Sequence, residues 1–168
     1  PRLSARIVVT RSAQVQALCK AQGVPVLLHA LPGRNDTVRL GLSALLAQHP
    51  ELTGCMFLPG DQPLLRRATV DQLLTAFAQT QKETERVIFR LGAPAGNGPD
   101  PLVGSPVLFS NGFFPELLTL PEGKGGSVLL HKYPTLVHTA CIAQPEELAD
   151  TDTPAALAQL EALVREKG

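Results

Sequence analysis

The chain has 168 residues, a length that suits one domain with a hydrophobic core of its own. Its 15 basic and 15 acidic side chains cancel, so no basic excess indicates nucleic acid or an anionic membrane as the main partner. The sequence has no apolar run near the roughly 20 residues that span a bilayer, and no signal-peptide pattern is recognisable. The three cysteines are far apart and form no CxxC pair, which indicates a reducing cytoplasm rather than a disulfide framework or a zinc site.

The first half of the chain alternates short apolar runs with helical patterns. Strands are predicted over residues 6–10, 24–29, 55–58 and 86–90. Ser12 is expected to cap the first helix between them, Asp36 or Thr37 the second, and Thr69 the third. Alternation of strand and helix predicts an α/β domain whose mostly parallel sheet is covered by helices on both faces.

The pattern changes after residue 90. Residues 91–104, "LGAPAGNGPDPLVG", predict a long Gly/Pro-rich loop, and loops of that length are often functional. Further strands are predicted over residues 105–110 and 135–142, with short helices over 113–120 and 125–132 and a final helix over 154–166. No internal repeat or linker divides the chain, so we expect a single domain over residues 1–168.

Three segments that contain carboxylates follow predicted strands. They are "LPGRNDT", "PGDQP" and "ADTDTP". In open α/β sheets, ligands bind outside the carboxyl ends of the strands, so these segments are candidates for one site.

Asp61, in "FLPGDQPLL", has two interpretations. Pro59 and Gly60 allow a sharp turn and Pro63 stiffens the exit, so the carboxylate is expected at the rim of the sheet, where it suits Mg²⁺. Alternatively, Asp61 forms an Asx-turn with its own backbone.

The "ADTDTP" segment is open to two interpretations as well. Asp152 or Thr153 suits the N-cap of the final helix, which begins at Pro154. With either residue as the cap, another carboxylate of the segment is left free to face the cleft.

Two further segments could bind anions. Arg34 lies in a loop immediately before a predicted helix, and helix N-termini and guanidinium groups bind phosphate well. Lys124 lies between glycines in "PEGKGGS", without the GxxxxGK[ST] spacing of a nucleotide-binding P-loop. Solvated surface loops are the alternative interpretation for both segments.

Taken together, "GRNDTVRLGLSALL", "MFLPGDQPLL", "GSPVLFSNGFFPELLTLPEGKGG" and "ELADTDTP", in this order, resemble the molybdenum cofactor cytidylyltransferase-like nucleotidyltransferases. The similarity covers nearly the whole chain. It implies a three-layer α/β/α Rossmann-like fold of the nucleotide-diphospho-sugar transferase type. It also implies that an acceptor phosphate attacks the α-phosphorus of CTP or GTP and releases pyrophosphate.

The resemblance also assigns roles to residues near the metal and the nucleotide. Asp61 and Asp152 match the aspartates that bind Mg²⁺. Arg34, Asn35, Thr37 and Gly60 are assigned to the nucleotide and its phosphates, with Thr37 where the family usually has serine.

The acceptor side of the site is implied in the same way. Gly104, Ser105 and Lys124 are assigned to a pterin-like acceptor and its phosphate. A molybdenum enzyme or its maturation factor would be a protein partner.

The sequence departs from the family pattern at two places. The N-terminal "LAAGxSxRMGxxK" signature, which binds the base and triphosphate, does not occur in the chain. We therefore expect the biological chain to include a preceding strand and nucleotide-binding loop, whose absence would leave neighbouring strands with unpaired edges. The final helix begins "DTPAAL" where relatives often have acidic residues after the proline.

Two other functions remain open from the sequence. One is a non-catalytic module that binds cofactor or assists maturation of a molybdenum enzyme. The other is a sugar-1-phosphate nucleotidyltransferase or a nucleotide-sugar glycosyltransferase of the same fold. Sequence does not distinguish CTP from GTP.

Overall fold

The computed structural model describes residues 3–94 and 101–167. The strands are β1 (Val8–Thr10), β2 (Val26–Leu28), β3 (Gly54–Phe57), β4 (Ile88–Ala93), β5 (Leu102–Ser110) and β6 (Val137–Cys141). The helices are α1 (Ala13–Ala21), α2 (Arg34–Gln48), α3 (Arg67–Thr80), α4 (Phe114–Leu118), α5 (Ser127–Lys132) and α6 (Pro154–Lys167). None of the helices in these two ranges combines the length and the apolar character needed to cross a membrane.

The described strands form two sheets, and the larger sheet is of mixed direction. In the four-stranded sheet the order is β3, β5, β4, β6, and β5 runs antiparallel to both β3 and β4. Because β4 pairs parallel with β6, strands β3, β4 and β6 share one direction. β1 and β2 form a separate parallel pair.

Helices cover both faces of the larger sheet. Successive strand residues point to opposite faces. Ile88 therefore packs in a core with Leu42 of α2 and with residues of α4 and α5. Its neighbours Val87 and Phe89 pack with Leu73 of α3 in a second core on the other face. The predicted three-layer α/β/α arrangement is confirmed.

The predicted cap of α2 is wrong. This helix begins at Arg34, and Gly33 is its N-cap, so neither Asp36 nor Thr37 caps it. Asp36 lies in the first turn, where its carboxylate accepts a hydrogen bond from the Gly33 N–H at 3.2 Å. The reason for the earlier start is that a carboxylate in the first turn satisfies the free N–H at the N-cap.

The predicted cap of α3 is also wrong, whereas that of α1 is confirmed. Ser12 Oγ accepts the Val15 N–H at 3.3 Å. At α3 the N-cap is Arg66, and Thr69 lies buried inside the first turn. A distant carboxylate, Glu147, accepts hydrogen bonds at this helix start, so no local side-chain cap is needed.

The predicted loop over residues 91–104 is shorter than expected at both ends. β4 extends through Ala93 and β5 begins at Leu102, so these ends pair as strands instead. Hydrogen bonds between β4 and β5 satisfy the backbone N–H and C=O groups of these residues, although their Gly/Pro-rich sequence favours a loop. The middle of the predicted loop, residues 95–100, lies outside the described residues.

A cavity of about 570 Å³ separates the two sheets. Residues 6–8 border it from the side of β1, and residues 53–56 border it from the side of β3. Leu45 of α2 and Leu74 and Phe77 of α3 also line the cavity. In the described part of the chain, β1 pairs only with β2 and β3 only with β5, so each strand has an unpaired edge.

The packing of α3 on β3 predicts a selective effect of substitution at Gly54. A Cβ at this position would lie 2.6 Å from Cζ of Phe77 and 3.1 Å from the carbonyl oxygen of Phe109. We expect Gly54→Ala to lower the free energy of unfolding by about 1–3 kcal/mol, measured by urea denaturation. Gly60→Ala is the control, because a Cβ there meets no atom within 4 Å. Equal effects of the two substitutions would contradict the described packing.

Candidate active site

Asp61 lies in the loop that connects β3 to α3. The loop follows the carboxyl end of β3, as the sequence predicts. The Asp61 carbonyl oxygen accepts two hydrogen bonds from Thr151, one from its N–H at 3.0 Å and one from its Oγ1 at 3.2 Å. The Asp61 backbone is thus bound to the segment that precedes α6.

Thr153, rather than Asp152, caps α6. Its Oγ1 accepts the Ala156 N–H at 3.1 Å, and its carbonyl oxygen accepts the Leu157 N–H at 3.0 Å. The Asp152 side chain is therefore not used as the helix cap and is exposed. Of the two candidate caps in "ADTDTP", the structure uses Thr153.

The carboxyl groups of Asp61 and Asp152 are in contact. A hydrogen bond to Asp61, together with the charges of Asp150 and Asp61, raises the pKa of Asp152 above its usual range. The Arg34 guanidinium is close enough to oppose this increase. Two carboxyl groups from separate loops, with a cation from the start of α2, therefore converge at one point.

A second set of contacts, deeper in the protein, joins the same two loops. Glu147 is 1% exposed, and its carboxylate accepts hydrogen bonds from the Arg66 N–H at 3.1 Å, Arg66 Nε at 2.9 Å and Thr69 Oγ1 at 2.5 Å. Arg66 Nη2 also lies 2.7 Å from Glu147 Oε1 in an ion pair. Burial raises the pKa of Glu147, but the hydrogen bonds from Thr69 and Arg66 outweigh burial and hold it below its usual value.

The donor set of this site fits a hard divalent cation. Carboxylate oxygens are preferred ligands of Mg²⁺, and two adjacent carboxylates relieve their repulsion by sharing a cation. The nearby Gln62 Nε2 donates to the Leu148 carbonyl at 3.3 Å, whereas its Oε1 is buried without a hydrogen-bond partner among the described residues. No cluster of three His, Cys, Asp or Glu side chains suited to a metal occurs in residues 3–94 and 101–167. A metal here would therefore take its other ligands from water and substrate.

The start of α2 connects to the loop that contains Lys124. Asn35 Oδ1 accepts the Gly123 N–H at 3.0 Å, which places this loop beside the first turn of the helix. Thr37 Oγ1 lies 3.3 Å from His29 Nε2 in a hydrogen bond within the protein. Arg34 is exposed at the helix N-terminus, where free backbone N–H groups also point outward.

The remaining predicted site residues belong to the β3–α3 loop, to β5 and to the loop before α5. Gly60 is exposed directly before Asp61. A Cβ on Gly104 of β5 would lie 3.5 Å from the Leu148 side chain, so this strand borders the segment that leads to Asp152. Ser105 is partly exposed in β5 and Lys124 is exposed. Within the described residues, neither side chain has a hydrogen bond or ion pair with the two aspartates.

Sequence reasoning missed the contacts that join the two loops. Glu147 and Arg66 stand in polar stretches that are typical of solvent-exposed segments, and Thr151 looks like part of a helix cap. No local pattern signals their pairing, because the partners are 81 positions apart in the case of Arg66 and Glu147.

Sequence comparison identifies a family for the chain. Residues 2–159 match the MobA-like NTP transferase domain family. No curated protein matches the chain significantly.

Solved structures share the fold. Rv0371c from Mycobacterium tuberculosis H37Rv superposes with a TM-score of 0.75 at 24% identity, covering 95% of this chain and 76% of that chain. Its manganese complex gives a TM-score of 0.72 at 23% identity, covering 95% and 78%. A 4-diphosphocytidyl-2C-methyl-D-erythritol synthase from Anaerococcus prevotii gives 0.72 at 10% identity, covering 97% and 79%. The chain belongs to the MobA-like NTP transferase domain family and is a nucleotidyltransferase.

Proposed function

We propose that this domain transfers CMP or GMP from CTP or GTP to a phosphorylated, pterin-like acceptor, the molybdenum cofactor or its precursor. The observation that carries the proposal is the joining of the Asp61 loop to Thr151, next to Asp152, which brings both carboxylates near Arg34. Membership of the MobA-like family supports nucleotidyl transfer, and the sequence resemblance supports the acceptor.

The proposed chemistry is a displacement at phosphorus. An oxygen of the acceptor phosphate forms a bond to the α-phosphorus of the nucleoside triphosphate, and the bond to the β-phosphate bridging oxygen breaks. Pyrophosphate leaves with that electron pair. Such a reaction needs charge neutralisation and alignment, and little covalent chemistry from the protein.

Asp61 and Asp152 would hold Mg²⁺ at this site. When bound, the metal neutralises charge on the phosphates. Asp152 is ionised in this role, and Arg34 opposes the rise in its pKa that Asp61 and Asp150 cause. The protein's contribution is to keep both carboxylates at one point before substrate arrives.

The start of α2 and the loop around Lys124 would bind the phosphates. Arg34 and the free N–H groups of the helix N-terminus supply positive charge and hydrogen-bond donors. Asn35 holds the loop of Lys124 beside them through Gly123. Thr37, in the same turn, and Gly60, beside Asp61, border the space for the nucleotide.

Gly104 and Ser105 would form the acceptor side together with Lys124. Both lie in β5, and Gly104 approaches Leu148 without a side chain of its own. An acceptor bound beside Gly104 would therefore lie next to the segment that carries Asp152. The Lys124 ammonium would pair with the acceptor phosphate.

We also propose that a further strand, preceding residue 1, occupies the cavity between β1 and β3 and carries a Gly-rich loop for the triphosphate. The unpaired edges of β1 and β3 and the apolar lining by Leu45, Leu74 and Phe77 support this arrangement. Such a strand would be buried on both faces of the sheet, so we expect its side chains to be apolar throughout.

A second acceptor class is favoured by a separate observation. The chain shares its fold with 4-diphosphocytidyl-2C-methyl-D-erythritol synthase, an enzyme whose name refers to an erythritol rather than a pterin. A nucleotidyltransferase for a sugar or polyol phosphate is therefore the alternative. Parallel assays with CTP and GTP, each with a pterin phosphate and with a polyol phosphate, would decide between them.

The protein is further proposed to work in the cytoplasm, alongside a molybdenum enzyme or its maturation factor. Its three cysteines are free thiols, a state that a reducing compartment maintains.

Substitution of either aspartate tests the proposed site. We expect Asp61→Asn and Asp152→Asn each to lower metal-dependent nucleotidyl transfer by roughly 100-fold or more, because charge stabilisation at the phosphates is lost. Asp71→Asn is the control, since Asp71 pairs with Arg67 on α3 instead. Activity is measured as pyrophosphate release in a protein that includes the proposed preceding strand. Normal turnover in Asp61→Asn would refute the assignment.

Repulsion between the two carboxylates predicts an opposite effect on stability. Because the pKa of Asp152 is raised, its ionised form is disfavoured in the folded state, and stability declines as pH rises through that pKa. We therefore expect Asp152→Asn to raise the melting temperature at neutral pH without metal, and to lose this advantage in acid. Mg²⁺ should stabilise the wild type and leave Asp152→Asn unchanged. Thermal unfolding at several pH values measures both effects, and a lower melting temperature at neutral pH would contradict the repulsion.

The cavity predicts a gain in stability when the preceding strand is present. We expect the extended protein to show slower amide hydrogen exchange in β1 and β3, because both unpaired edges become hydrogen-bonded. Leu74→Asp, which places a charge in the apolar lining, should remove that gain. Unchanged exchange in β1 and β3 would refute a strand at this position.

A further inference from the structure

Glu147 has no direct place in the proposed chemistry, yet it is the most buried acidic side chain among the described residues. It belongs to the Pro145–Leu148 turn, which leads directly to Asp150 and Asp152. All described hydrogen-bond partners of its carboxylate belong to Arg66 and Thr69, at the start of α3. A buried carboxylate normally needs such donors, because an unpaired buried charge is costly.

The contacts form a closed ring through the candidate site. Arg66 ends the loop that contains Asp61, and Glu147 begins the segment that contains Asp152. Their ion pair closes one end of the ring, and the hydrogen bonds of Thr151, the residue before Asp152, to the Asp61 carbonyl oxygen close the other.

Two effects act on this ring in opposite directions when the carboxylates are ionised. Asp61 and Asp152 repel each other, which tends to separate the loops. The bonds of Glu147 attract the loops to each other, and all four of its side-chain contacts with Arg66 and Thr69 are made by its buried carboxylate. The distance between the Asp61 and Asp152 carboxylates therefore depends on the contact of Glu147 with Arg66 and Thr69, in which neither aspartate takes part.

We propose that Glu147 is a positioning residue that holds the Asp61 and Asp152 carboxylates close enough to share one divalent cation. The inference rests on the proposed role of the two aspartates as metal ligands. Glu147 itself touches neither the metal nor the substrate in this arrangement. It acts through Arg66 and Thr69 on one loop and through its own chain on the other.

Binding of Mn²⁺ alone tests the inference without knowledge of the substrate. We compare the full chain with Glu147→Gln, which removes the charge and keeps the shape, by electron paramagnetic resonance of free Mn²⁺. We expect the variant to bind Mn²⁺ roughly 10-fold or more weakly, the size of effect usual for groups that orient metal ligands. Glu147→Asp, which restores the charge, should recover part of the affinity.

Glu116→Gln is the matched control. Glu116 is also a partly buried, ion-paired glutamate, but its partners are Arg86, Lys132 and Tyr133 on the other side of the sheet. Glu116→Gln should change Mn²⁺ affinity by less than about 2-fold. Like Glu147→Gln, it removes an ion-paired charge and should lower stability. Equal weakening by both variants would overturn a specific role of Glu147.

Hydrogen exchange provides a second measurement that requires no metal. The Thr151 N–H is bonded to the Asp61 carbonyl oxygen, so its exchange reports on the contact between the loops. We expect Glu147→Gln to accelerate exchange at Thr151 by roughly 10-fold more than at Phe109 in the inner strand β5. Equal acceleration at both amides indicates general destabilisation and overturns the inference. If Glu147→Gln does not fold, Thr69→Val removes a single donor and is expected to give the same pattern more weakly.

The outcomes separate this inference from the proposed function. A wild-type chain that binds no Mn²⁺ refutes the metal site and the inference together. A wild type that binds Mn²⁺, loses it in Asp61→Asn and keeps it in Glu147→Gln refutes the inference alone.

Discussion

The candidate site depends on one arrangement, in which two carboxylates that repel each other are held together by hydrogen bonds between two loops. Asp61 follows β3 and Asp152 precedes α6, and Thr151 donates to the Asp61 carbonyl oxygen from both its N–H and its hydroxyl. The rise in the pKa of Asp152 is the electrostatic consequence of this proximity. The rest of the fold supplies the support that the arrangement needs.

That support comes from both faces of the sheet. Glu147 connects the segment before α6 to the start of α3, and α3 packs on β3 and β4 through Leu73 and Phe77. On the opposite face, α2 packs through Leu42 and presents Arg34 at the same edge. Three elements that are far apart in sequence thus direct charged groups to one point, as is usual at the carboxyl ends of strands in open α/β sheets.

A site of this kind reduces stability in return for function. Adjacent like charges, a buried Gln62 oxygen without a hydrogen-bond partner among the described residues, and an apolar cavity between β1 and β3 are each unfavourable in the isolated chain. A divalent cation would relieve the first of these, and under the proposed function a further strand would relieve the third. The features that weaken this chain are therefore those that its proposed ligands and neighbouring strand would satisfy.

The sequence by itself determined the layers of the fold and identified several candidate site residues. Periodicity placed the strands and helices and predicted their three-layer arrangement, because apolar side chains repeat with the period of the element that buries them. It also offered Thr153 as a cap for α6, which leaves Asp152 free. The resemblance of the ordered motifs implied the nucleotidyltransferase family, which the comparisons confirm.

Tertiary structure alone decided how the start of α3 is stabilised and which distant groups are joined. Thr69 has the local signature of a helix cap, yet it binds Glu147, since a buried carboxylate 78 positions away is the stronger partner. The reversed direction of β5 and the pairing of residues within the predicted 91–104 loop follow from cross-strand hydrogen bonds that local sequence does not encode. The contact between Asp61 and Asp152 is of the same kind, because it depends on loops that only the folded sheet brings together.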